Sequence, residues 1–136
     1  MFLHIIKAKT PEALQEQFQI WAASKRQVYI VNFELETNYF VKDEQTKIDS
    51  SWISYNLFIY YDNLSKGEVQ AKELRVIVTQ GHEAKHENDV NDCLVSSEHA
   101  GCSETLISNS CCFRPKKKTG ASDAHIYYCT AIIWLT

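Results

Sequence analysis

The chain has 136 residues, 45% of them hydrophobic and 23% charged, which is enough for one domain with a core of its own. Four Gly and two Pro exclude a collagenous or Gly/Pro-rich disordered chain. A net charge of -3, from 14 Lys plus Arg against 17 Asp plus Glu, excludes bulk nucleic-acid binding, which needs a surplus of cations.

Phe2 to Ala8 is a predicted strand, with Leu3 and Ile5 on one face and Phe2, His4 and Ile6 on the other. Thr10-Pro11-Glu12 is a helix start: the hydroxyl accepts a free amide proton, proline fits the first helical position, and the carboxylate suits the positive end of the dipole. Leu14, Phe18, Trp21 and Ala22 then recur at helical spacing, with Lys25 and Arg26 at the negative end. Further strands are expected over Gln27 to Glu36, Trp52 to Tyr61, Leu74 to Thr79 and Ala124 to Leu135, with a charged connection from Lys42 to Lys47. The aromatic segments Tyr55 to Tyr61 and Tyr127 to Trp134 are alike, as two neighbouring strands of one sheet would be. Between them residues 81–123 turn polar and are expected to form an insertion carrying a short helix or two. The expected fold is thus a single α+β domain over residues 1–136: a mostly antiparallel sheet, one principal amphipathic helix, and a polar Cys/His-containing insertion.

The opening residues lack the apolar core of a signal peptide, and no apolar run approaches the ~20 residues that span a bilayer. Five cysteines (Cys93, Cys102, Cys111, Cys112 and Cys129) are odd in number and confined to the last third, unlike a secreted disulfide framework. A cytoplasmic protein without membrane contact is expected, its cysteines serving as thiols, core residues or metal ligands.

Three constellations bear chemistry. His82-Glu83-Ala84-Lys85-His86 matches the zinc-hydrolase pattern H-E-x-x-H, in which two imidazoles share a metal and the glutamate deprotonates bound water. Against it, Lys85 puts a cation inside the motif, and Asp89 and Asp92 stand where the extended pattern has Gly and His; a solvated polar segment is the bland alternative. His99, Cys102, Cys111 and Cys112 could hold a structural metal, although only one arm has the spacing of a zinc module. Arg114-Pro115-Lys116-Lys117-Lys118 is the one concentrated basic run. Preceded by Phe113, it could hold phosphates while an aromatic ring stacks on a base, or it is a solvated loop before the last strand. The surplus of strand aromatics, finally, needs covering on both faces. One helix covers one face, and homo-oligomerisation is the favoured cover for the other, ahead of the insertion or a ligand.

The layout from Ile5 to Glu12, the amphipathic helix, Val28 to Leu35 and the closing Tyr128-Cys129-Thr130-Ala131-Ile132-Ile133-Trp134 resembles small strand–helix–strand–strand proteins of phages and sporulating bacteria, over about half the chain. Among small phage proteins of this size are the anti-Thoeris sponges that sequester cyclic ADP-ribose-type signals. That resemblance implies a counter-defence oligomer in the host cytosol that binds a nucleotide without cleaving it. Arg26, Phe113, Arg114, Lys116 and Lys117 are then the candidate ligand contacts. The expectation is a non-enzymatic protein needing no cofactor, whose partner is a small nucleotide-like ligand or a defence protein. The alternatives are a small zinc hydrolase at His82, Glu83 and His86, and a protein–protein interaction module.

Overall fold

The computed structural model describes residues 1–24, 28–41, 51–63, 71–114 and 126–136. Among these residues six strands and two α-helices follow in the order β1 (Phe2–Ala8), α1 (Pro11–Ser24), β2 (Val28–Val41), β3 (Ser51–Asn63), β4 (Ala71–Gln80), α2 (Glu83–Leu94), β5 (Glu104–Phe113) and β6 (Ile126–Leu135), with a 3-10 turn at Ser97–His99. The α+β class and the antiparallel pairing are those expected. The strands, however, divide between two three-stranded sheets, β1-β3-β2 and β4-β6-β5. The two aromatic segments are therefore not neighbours: each is the central strand of its own sheet. Two similar central strands carry the same pattern because each is flanked on both edges.

Helix α1 begins as its residues dictate. The Thr10 hydroxyl accepts the Ala13 amide proton at 3.1 Å, and Leu14, Phe18 and Trp21 are buried. The helix packs on β4, β1 and β3, and the Gln15 side chain accepts the Val76 amide proton at 2.8 Å, satisfying a backbone donor of edge strand β4. On the opposite side β2 lies along β5. The Ser108 hydroxyl accepts from the Leu35 amide at 2.9 Å, and the Ser110 hydroxyl accepts from the Thr37 amide at 3.2 Å, so the two strands run the same way. The elements thus close into a ring: β1-β3-β2, the serine seam, β5-β6-β4, then the helix back to β1. Inside it, Leu57, Ile59, Leu74, Ala131, Ile133 and Leu135 are fully buried and belong to one core shared by both sheets.

The polar segment 81–123 was expected to be an insertion. Its helix is there as α2, but β5 is an integral strand of the second sheet. It escaped the pattern because its inward positions after Leu106 are Ser108, Ser110 and Cys112, which join a seam rather than fill a core. Gly81, at a φ of 71° that favours glycine, turns the chain from β4 into α2 while its amide bonds the Ile126 carbonyl at 2.7 Å. The covering expected from a second subunit is, over the β4-β6-β5 sheet, supplied by this segment. Thr130, Ile132 and Trp134 on its outer face are buried, and His86 of α2 and His99 pack on them.

Candidate functional site

Phe113 and Arg114 fall at the end of β5, and Phe113 is 57% exposed. Because the seam keeps β5 level with β2, this end meets the Tyr39 end of β2. There the Tyr39 ring stacks on Tyr127 of β6, with centroids 6.0 Å apart, and Tyr127 pairs with Cys112 across the β5–β6 ladder. Arg114 is the first residue after β5, so the chain carries its guanidinium away from this same end of the strand. Next to the seam, Phe40 stacks on Trp52 at 5.3 Å, and the Lys9 ammonium sits 5.0 Å over the Trp52 ring. Aromatic faces and a guanidinium are thereby gathered at one end of the ring of elements, a combination suited to a planar anion.

Of the five residues expected to contact ligand, Arg26, Lys116 and Lys117 lie outside the described residues. The segments flanking Arg26 can still be followed. Helix α1 ends at Ser24 and β2 begins at Val28, whereas Phe113 lies level with the far end of β2, some eleven residues or roughly 35 Å along an extended strand. Val28 and Phe113 are thus near opposite ends of β2. Sequence reasoning missed Tyr39. Continuing the alternation of Phe33 and Leu35 through Thr37 to Tyr39 would have found it, since all four are on the inward side of β2.

The H-E-x-x-H residues are on the outer face of the second sheet. His82 precedes α2 without a side-chain cap bond, and both it and Glu83 are exposed. His86 is engaged at both ring nitrogens: Nδ1 lies 2.9 Å from the Thr79 hydroxyl, and Nε2 2.8 Å from the Thr130 hydroxyl. Thr130 donates its proton to Asn109 at 2.7 Å, so it accepts from Nε2–H, and Thr79 donates to Nδ1 of the neutral ring. The neutral imidazole is therefore the Nε2–H tautomer. Burial lowers its pKa below the ordinary value, against a smaller upward pull from Asp89.

A second polar cluster lies further along the same face. His99 is stacked flat on Trp134, with ring centroids 3.6 Å apart, and its Nε2 is 2.7 Å from Glu73, whose other oxygen bonds Arg75 at 2.9 Å. Burial pushes the Glu73 carboxyl up, but the hydrogen bonds and charges of His99 and Arg75 outweigh it and hold the group below its usual range. The thiols are the reverse. Burial pushes Cys93 and Cys112 up, and Cys129 up to about 12, so these sulfurs stay protonated and weakly nucleophilic at neutral pH. Among the described residues no three His, Cys, Asp or Glu side chains gather as a metal-ligand set, and no helix is long and apolar enough to cross a membrane.

A groove of about 330 Å³ runs between β1 and α1, lined by residues that include His4, Lys7, Gln17 and Trp21. Within that lining the His4 ring stacks on Trp21 at 4.8 Å. In comparison with known proteins, no family model, curated protein or solved structure matches the chain.

Proposed function

We propose that this chain is a non-enzymatic binding protein that sequesters a small planar anion of the nucleotide type at the Tyr39, Tyr127 and Arg114 end of the ring of strands. The observation that carries this reading is the stacked Tyr39–Tyr127 pair at the end of β5 from which the chain continues into Arg114, with the Phe113 ring exposed on the other face of that strand end. An aromatic face takes a base and a guanidinium takes a phosphate, and neither needs a catalytic group nearby. The state of the reactive side chains favours binding over turnover. Burial holds the half-buried Cys93 and the buried Cys112 and Cys129 thiols protonated, and the His86 ring is braced by two threonines. Cyclic ADP-ribose-type and other cyclic nucleotide signals are the class to test first, by the resemblance to phage sponges. A cytosolic counter-defence role goes with that class.

Calorimetric titration with cyclic ADP-ribose, cyclic dinucleotides, NAD and ATP tests the proposal. One class binds, Arg114→Ala weakens it at least tenfold, and Phe113→Ala weakens it by about 5- to 100-fold, the range of one lost base stack. Arg114→Lys recovers only part, since an ammonium makes no bidentate contact. If no nucleotide binds, or if both alanine variants bind as the wild type does while keeping its circular dichroism, the proposal is wrong.

A further inference from the structure

The two sheets differ in how their outer faces are finished. That of β4-β6-β5 is roofed by α2 and the Ser97–His99 turn, whereas that of β1-β3-β2 leaves Leu3 50% and Ile5 44% exposed. The ladder register makes this face a grid of three columns. Leu3, Tyr60 and Asn32 form one row; Ile5, Phe58 and Glu34 the next; Lys7, Asn56 and Glu36 a third. Lys9, over the Trp52 ring, extends the β1 side of the grid. Cations therefore line the β1 edge, carboxylates line the β2 edge, and Phe58 and Tyr60 run down the middle.

We propose that this face binds a second copy of the chain. A two-fold axis parallel to β3, midway between two such faces, lays the β1 column of each copy over the β2 column of the other. Lys7 then meets the partner's carboxylate column at Glu34 and Glu36, and the central aromatic rings meet each other across the axis. A two-fold axis perpendicular to the strands instead lays the lysine column on the lysine column and the carboxylates on the carboxylates. The pattern is thus self-complementary in one arrangement, which is what an isologous interface requires. Three strands about 14 Å across and about 30 Å long give on the order of 400 Å² a copy, against roughly 800 Å² for a standard interface. The dimer is accordingly weak and concentration-dependent. The interface excludes Tyr39, Tyr127, Phe113 and Arg114, and meets the ligand end only at the Lys9–Trp52 contact.

Sedimentation velocity of the full chain, from about 1 to 200 μM at low and high salt, tests it. The wild type shifts from monomer toward dimer as concentration rises, and about 0.5 M salt shifts it back. Ile5→Asp, at an already exposed position, holds the chain monomeric. Lys7→Glu alone and Glu36→Lys alone each weaken association at least tenfold, and the double variant Lys7→Glu/Glu36→Lys restores it, a rescue that misfolding would not produce. A wild type that stays monomeric throughout overturns the proposal and gives the face to a different polypeptide. A dimer indifferent to Ile5→Asp and to both single charge reversals overturns it as well.

Discussion

His86 is held by the strands beneath α2 rather than by its own helix. Thr79 comes from β4 and Thr130 from β6, so one imidazole ties the helix to two strands through a chain of hydrogen bonds ending at Asn109. Its lowered pKa has a definite consequence for stability. The unfolded chain binds the proton more readily than the folded one, so the contribution is full above the ordinary value near pH 6.5 and is lost as pH falls from there through the lowered folded value. Urea titrations from pH 8 to 5 should show stability declining in that window. His86→Gln, neutral and able to bond on both sides, should flatten the decline, and an unchanged profile would refute the assignment. Glu73 acts at lower pH: its depressed carboxyl loses its contribution as pH falls below the usual carboxylate range. The sequence motif shows that His82 and His86 are spaced by one helical turn. It does not show that two threonines, 7 and 44 residues away, take both nitrogens of one of them.

At the scale of elements, legibility followed hydrophobic content. Helix α1 was readable to its first residue because its cap, proline and buried stripe all agree. β6, buried throughout from Cys129 to Leu135, was equally plain. β5 was not, since its seam-forming residues are small and polar. Those serines hold a junction that no ladder supplies: their hydroxyls satisfy the Leu35 and Thr37 amides, and Ser110 also bonds the Thr37 hydroxyl at 2.9 Å. Ser108→Ala and Ser110→Ala each strand a buried-edge donor and should cost about 1–3 kcal/mol in chemical denaturation. The double variant should loosen β2 from β5, read as faster amide exchange at Leu35 and Thr37 with slow exchange retained at the centre of β3. Equal protection in wild type and double variant would mean that the seam is held by core packing alone.

For the whole molecule, the ring of two sheets and a helix explains why a single polar segment both roofs one sheet and contributes a strand to it. Among the described residues, no helix roofs the outer face of β1-β3-β2. The sequence pattern carried the class and the strand–helix–strand–strand order. It could not carry the division into two sheets, because pairing β6 with β4 and β5 instead of with β3 leaves every strand's own alternation unchanged. The ring is also what gathers Tyr39, Tyr127 and Phe113 at one end. That gathering is the basis of the proposed function, and native mass spectrometry tests it most directly. Protein freshly purified, and again after incubation with the nucleotide panel, is compared with the denatured chain and with Arg114→Ala. The account predicts a nucleotide-sized adduct on the folded wild type that is absent from the denatured chain and depleted in Arg114→Ala. A folded chain that takes up no nucleotide, or that carries instead one zinc-sized adduct per chain, would contradict it.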